Sequence, residues 1–388
     1  MLSFHRSIAP TDDFADDTYL NNLELRSSQK ELLRNARLLV REALRTAFKR
    51  ETAVFFGDEK PISPNFFTQG SWGYKTINRP TRIPPQQTDM DDGCILPMTF
   101  VRGTNPKRAA NWFYGVADQE LKALVEAQGW ERYDSSKETC CRIVINKENH
   151  LDVPLYAMRD DLFAEMKSLT QDRAGTFAEA VAAVSEEDEY TFDWSMVTNE
   201  DVLLAKRTGI WCPSNPMDVS KWARAAVDQH GEQLRRTWRG IKGWRDQMFP
   251  NSGGPSSISL MTMVEADFEE IAGRDDLALR AAAKSVRERI VGRIEAPWDK
   301  REDLNRVSAG ERASVAAMAK NLEEEIDYCI QGTLTNAPQY LKRLRECCGQ
   351  HFSKDSSRVK EVSAHEVIHS YSAATAVIPQ FRGDNRSA

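Results

Sequence analysis

Three aspartates stand within four positions of the stretch "TDMDDG": Asp89, Asp91 and Asp92. If the segment is a strand, Asp89 and Asp91 project from one face while Met90 and Asp92 project from the other. Two carboxylates held that close repel and shift each other's protonation unless a cation sits between them. Mg²⁺ is the natural occupant, with Mn²⁺ as its alternative, since it takes one or two carboxylates together with substrate phosphate oxygens. A third carboxylate from a neighbouring strand would complete a two-metal site, which stabilises both the attacking and the leaving oxygen of a phosphoryl transfer. Asp152 is the candidate. In "HLDVPLYAM" Leu151, Val153 and Leu155 alternate with His150, Asp152, Pro154 and Tyr156, so Asp152 falls on the polar face of its strand. Upstream, Gln69-Gly70-Ser71 fits the same chemistry. Glycine lets the backbone approach a phosphate closely, and exposed amides with a serine hydroxyl can hold its oxygens.

These residues need elements to carry them. Residues 28–50 predict a long helix, with Leu32, Leu33, Ala36, Leu39, Val40, Ala43, Leu44, Ala47 and Phe48 on one apolar face. Arg34, Arg37, Arg41 and Arg45 form a stripe beside that face, either a solvated basic surface or the lining of an anion site. Residues 60–105 are rich in Pro, Gly and short apolar runs, which predicts strands and turns. A helix is expected near 116–128, then two strands around a polar turn at Asn146–Asn149. From about 175 the pattern turns helical: 174–190, 217–248, 263–292 and 308–346, interrupted by the loop "NSGGPSSISL". Trp211, Trp222, Trp238 and Trp244 share no single helix face and are expected in core packing.

The totals set outer limits. A chain of 388 residues is long for one core and suggests two lobes. The net charge of −6 gives no positive field for a long nucleic acid, so a nucleotide must be gripped locally. No apolar run is long enough to span a bilayer, and the N-terminus lacks a secretory pattern. Seven cysteines, an odd number with two doublets, suit a reducing compartment, and a cytoplasmic protein is expected.

The strings "QGSWGYKTINRP", "DMDDGCILPM", "HLDVPLYAM" and "GGPSSISLM" resemble the bacterial cGAS/DncV-like nucleotidyltransferases (CD-NTases), in particular the DncV-type cyclic dinucleotide synthases. The resemblance covers residues 66–101, 128–163 and 209–262. It implies an α+β fold: a polymerase-β-like nucleotidyltransferase lobe with a mixed sheet, a helical lobe, and an active site in the cleft between them. The expected division is 1–200 for the first lobe with its long helix, 201–375 for the helical lobe and 376–388 for a loose tail. By the same resemblance Asp89, Asp91 and Asp152 are the catalytic and metal-binding set. Gln69, Gly70, Ser71, Lys242, Ser256 and Ser257 contact the triphosphate, and Tyr74 and Ser214 contact base or sugar. ATP, GTP or other NTPs are the implied substrates and cyclic GMP-AMP the first product to expect, in anti-phage signalling (CBASS). A downstream effector would read the product, and a conjugation machinery would act on the C-terminal tail.

Two other patterns compete for attention. "HEVIH", residues 365–369, has the spacing of a zinc protease helix but no scaffold around it. Cys347, Cys348 and His351 together with His365 or His369 could form a structural metal site.

Overall fold

The computed structural model describes residues 1–13, 16–56, 61–103, 105–171, 192–251, 253–363 and 365–366. The expected helix at 174–190, the tail at 376–388 and His369 lie outside them. The chain divides into two compact units, one of residues 24–225 and one joining residues 1–23 to 226–388. The expected division at 200/201 is thus displaced. The first 23 residues belong with the C-terminal half, because β1 (Leu2–Ser3) pairs antiparallel with the short strand Lys360–Glu361.

The helical unit begins with β1, α1 (His5–Ile8) and α2 (Tyr19–Asn22). The backbone N–H of Phe4 donates to Asp276 Oδ2 at 2.9 Å, and Arg274 neutralises that buried carboxylate. Tyr19 donates its hydroxyl to the Gly240 carbonyl at 3.0 Å. Trp238 and Trp244 are fully buried there, the core role their spacing predicts.

The 24–225 unit holds the long helix α3 (Ser27–Phe56) and a mixed sheet. β2 (Asn65–Gln69) runs antiparallel to β3 (Thr88–Pro97), and a single helical turn, α4 (Gly70–Gly73), follows β2. After α5 (Thr99–Arg102) comes α6 (Pro106–Gln128), then β4 (Arg132–Asp134), β5 (Cys140–Asn146) and β6 (Asn149–Met158). β6 lies parallel to β3 on one side and antiparallel to β5 on the other. α7 (Asp160–Gln171) leads on to β7 (Val202–Ala205), which pairs with the far end of β6, and to β8 (Trp211–Pro213). The α+β architecture with a mixed sheet is as expected. β7 and β8 are not, since both fall within 201–375, the segment expected to form the helical lobe.

Strand alternation decides which side chain faces what. Met90, Cys94, Leu96, Leu151, Val153 and Leu155 turn to one face and pack against Val40, Leu44 and Phe48 of α3 and Phe113 and Leu121 of α6. Asp92 shares that face and is fully buried. It is held by Arg41 through two bonds, Nε to Oδ2 at 2.7 Å and Nη2 to Oδ1 at 2.5 Å, while Arg37 donates to Thr68 Oγ1 at 2.6 Å. The arginine stripe is therefore divided. Arg37 and Arg41 are buried, Arg41 with Asp92 as its counter-ion and Arg37 on the Thr68 hydroxyl, and Arg34 is exposed. Leu39, assigned to the apolar face, is 40% exposed.

Elsewhere the element bounds differ from those the periodicity suggested. α6 starts ten residues before the expected 116, because the Asn105 side chain caps the Lys107 and Arg108 amides and Pro106 stands in the first turn. The segment 217–248 is two helices, α8 (Met217–His230) and α9 (Glu232–Met248), split at Gly231 with φ +79°. The remaining helices are α10 (Ser257–Glu265), α11 (Asp275–Arg289), α12 (Ala309–Ile330) and α13 (Ala337–Cys348), before β9 (Lys360–Glu361). Among the described residues no helix is long and apolar enough to cross a membrane.

Candidate active site

The register of three strands builds the site. Asp91 sits opposite Gln69 of β2 and opposite Asp152 of β6, and Asp152 sits opposite Arg142 of β5. Gln69, Asp91, Asp152 and Arg142 thus form one row across the sheet. Two positions earlier, Asp89, His150 and Val144 form a second. All point to the face opposite α3, since they alternate with the residues of that core.

Asp152 lies on the non-core face of β6, as its alternation predicts, but that face is covered as well. Asp152 and His150 are both 6% exposed. Arg142 grips Asp152 in a fork, Nε to Oδ1 at 2.7 Å and Nη2 to Oδ2 at 2.6 Å, the planar pairing that guanidinium and carboxylate favour. The imidazole Nε2 of His150 is 2.9 Å from Asp89 Oδ1. Among the described residues neither atom has a hydrogen-bond partner, so the contact is an electrostatic one.

Charge crowding shows in the protonation of the carboxyls. Burial, then the negative charges of Asp89 and Asp152, push the Asp91 carboxyl well above the ordinary range, against the pull of Arg142. Burial would raise Asp89 too, but His150, followed by Arg142 and Lys137, brings it below its ordinary value. Asp89 is also half-exposed, which weakens the burial contribution. Three aspartates against one arginine leave a formal charge that suits one divalent cation. Ligand atoms of Asp89, His150 and Asp152 lie within 4.8 Å of one another. The uncompensated carboxylates and the orphaned Asp89 oxygen fit a bound metal.

The Gly70-Ser71 turn abuts the carboxylates. Gly70 has φ +66°, and a Cβ built on it would stand 2.1 Å from Asp91 Oδ2. Glycine is thus required twice, for its backbone angle and for the space that the Asp91 carboxylate occupies. Gln69 Oε1 accepts from the Tyr156 hydroxyl at 3.2 Å. The Tyr74 hydroxyl is pushed up by burial and by Asp91 and Asp89, which keeps it a neutral phenol beside them.

Other predicted residues are not gathered by this sheet. The Ser214 amide donates to the Val202 carbonyl, and Val202 pairs with Met158. Met158 is six positions past Asp152, about 20 Å along the strand. Lys242 is buried in α9 of the helical unit. Ser256 caps α10 by accepting from the Ser259 amide at 3.1 Å, and Ser257 accepts from Arg245 Nη1 at 3.3 Å. Cys347, Cys348, His351 and His365 take part in no metal-ligand group among the described residues. Cys347 instead contacts Asn321, and His365 and Glu366 are all of "HEVIH" that is described.

Sequence reasoning missed His150 and Arg142 as members of the site. The signal for His150 was its place two residues before Asp152 on the same face of the strand. Arg142 had none, because its partner is set by the β5–β6 register.

Comparison with known proteins follows the same two segments. Residues 64–156 match the family model "Cyclic GMP-AMP synthase DncV-like, nucleotidyltransferase domain", and residues 231–358 match "Cyclic GMP-AMP synthase, C-terminal domain". The chain belongs to the DncV-like nucleotidyltransferase family. A cyclic GMP-AMP synthase of Vibrio cholerae is 36% identical over 220 residues, 54% of this chain and 49% of that protein. One from Escherichia coli is 35% identical over 207 residues, 52% and 47% of the two chains. The chain thus spans about half the length of the curated relatives it matches. The fold likeness runs further. The crystal structure of Vibrio cholerae DncV with the linear intermediate 5′ pppA(3′,5′)pG superposes at TM-score 0.75, with 22% identity, over 94% of this chain and 99% of that one. Escherichia coli DncV bound to 3′-deoxy GTP gives TM-score 0.72 at 22% identity, over 93% and 100%.

Proposed function

We propose that this protein is a Mg²⁺-dependent cyclic dinucleotide synthase that joins ATP and GTP, or another pair of NTPs, into a ring, with cyclic GMP-AMP as product. The observation that carries the reading is the row of Asp91 and Asp152, with Asp89 beside it, set against the Gly70-Ser71 turn. Relatives 36% and 35% identical to this chain over about half its length are named for that synthesis.

The 3′-hydroxyl of one nucleotide attacks the α-phosphorus of the other; a P–O bond forms as the bond to pyrophosphate breaks. Asp89, Asp91 and Asp152 would hold the Mg²⁺, which when bound offsets the negative charge gathering on the phosphoryl oxygens. Asp152 takes the proton of the attacking hydroxyl, and the Arg142 fork keeps its carboxylate in one plane while it does so. Ser71 and the amides at Gly70 hold donor phosphate oxygens, and Gln69 is oriented by Tyr156. Tyr74 offers base or sugar a neutral ring. Lys242, Ser256 and Ser257 are assigned to the triphosphate, and Ser214 to base or sugar, on family resemblance. The linear product then re-enters with its ends exchanged, and the same groups close the second bond. Anti-phage signalling in the cytoplasm, a separate effector for the product, and conjugation at the C-terminal tail complete the reading.

The deciding experiment incubates the protein with all four NTPs and Mg²⁺ and identifies products by mass spectrometry, beside Asp89→Ala/Asp91→Ala. A cyclic dinucleotide absent from the double variant supports the proposal. Pyrophosphate with linear products alone makes it a non-cyclising nucleotidyltransferase. Nucleotide binding without turnover makes it a pseudoenzyme.

A further inference from the structure

His150 is a buried imidazole without an assigned task. It is 6% exposed, and among the described residues neither Nδ1 nor Nε2 makes a hydrogen bond. Burying a polar group unpaired is costly, so such a side chain calls for a partner, and a bound ion can be one. Its β5 neighbour Val144 is apolar and offers none. Its Nε2 lies 2.9 Å from Asp89 Oδ1, an oxygen that also has no hydrogen-bond partner among the described residues. Asp152 completes a triangle in which all three ligand atoms fall within 4.8 Å of one another.

We propose that His150 Nε2 is a nitrogen ligand of the divalent cation held by Asp89 and Asp152, and that it shifts the site's preference from Mg²⁺ toward Mn²⁺. This rests on the metal-dependent reading above. Mg²⁺ demands near-ideal octahedral oxygen ligation and gives up water reluctantly. Mn²⁺, a softer ion than Mg²⁺, accepts imidazole nitrogen more readily, so one nitrogen in an oxygen set favours it. Arg142 does not block Asp152, because each carboxylate oxygen has two lone pairs and the fork uses one on each. Asp91, whose carboxylate lies against Gly70, is outside the triangle.

The test is pulsed EPR of Mn²⁺ bound to the full chain, made with ¹⁵N-histidine, in the presence of a non-hydrolysable ATP analogue. Labelling separates histidine nitrogen from nucleotide nitrogen. A coupling to directly bonded ¹⁵N, absent in His150→Gln, is expected. The variant should also bind Mn²⁺ about tenfold more weakly, with Mg²⁺ affinity, read by competition, changing less than about threefold. Bound Mn²⁺ without histidine coupling overturns the proposal and leaves the carboxylate site standing, as does equal weakening of both ions. If wild type binds Mn²⁺ no better than Asp89→Ala/Asp91→Ala, the metal-dependent reading falls with it. The wild-type spectrum decides the ligand even if His150→Gln fails to fold.

Discussion

Substituting Gly70 by alanine tests the site at its tightest point. The methyl group would arrive 2.1 Å from Asp91 Oδ2 and 2.9 Å from its Cγ. An ordinary carbon–oxygen contact is about 3.3 Å, so the carboxylate has to retreat by about 1 Å. Misplacement on that scale costs about a hundredfold in rate, equivalent to about 2.7 kcal/mol of transition-state stabilisation. A second cost acts on stability: φ of +66° strains any residue with a Cβ by about 1–2 kcal/mol. Gly129 separates the two. It has φ +65° at the end of α6, but a Cβ there meets nothing within 4 Å. Gly129→Ala should lose the same stability in urea unfolding and keep its pyrophosphate release from ATP and GTP. Gly70→Ala should match it in stability, or fall slightly lower, while losing about two orders of magnitude in rate. A Gly70→Ala protein that is folded and within about threefold of wild-type activity would refute the close approach of turn and carboxylate.

Three further outcomes follow from the same geometry. Arg41→Ala leaves Asp92 buried with its main counter-ion gone, and should cost about 3–5 kcal/mol in denaturant unfolding; the double variant Arg41→Met/Asp92→Leu should recover most of it, and an Arg41→Ala protein as stable as wild type would mean the pair is not buried. Six of the seven cysteines are buried, with Cys141 pushed up to about 12 by burial and Cys347 up to about 11, whereas Cys212 is half-buried; iodoacetamide at mildly alkaline pH should label Cys212 first by peptide mass spectrometry, and equal labelling of Cys347 would contradict the packing. Burial raises the Asp118 carboxyl, but bonds from Arg207 and Tyr133 outweigh it and hold the group below its ordinary range. A depressed carboxyl contributes stability above its unfolded value of about 3.9 and loses it as pH falls further; the gap between wild type and Asp118→Asn in urea midpoint should therefore be full at neutral pH and close in acid, and a constant gap would refute the pairing.

What the sequence made legible was whatever depends on near neighbours. Asp89 and Asp91 fall on one side and Asp92 on the other because strand period is two, and no knowledge of the partner strand is needed. The Gly-Ser turn and the alternation around Asp152 are readable for the same reason. What stayed hidden depends on register between distant segments. β3 and β6 are some sixty residues apart in the chain, and only their parallel pairing brings His150 beside Asp89. Only the β5–β6 ladder puts Arg142 on Asp152, and only the packing of α3 on β3 shows that Arg41 of the stripe meets a buried aspartate rather than solvent. The same limit explains the domain boundary, since two residues pairing across nearly the whole chain draw the N-terminus into the helical unit. Local punctuation misled in the opposite direction. Pro106 reads as a loop residue until Asn105 is recognised as a cap, and Gly231 is lost inside an apolar periodicity that runs through it on both sides. The residues that bear charge could be named from period alone, then, but their counter-charges could not. In a site whose chemistry is the balance between the two, the half that needed the fold is the half that sets protonation and, on the proposed reading, the choice of ion.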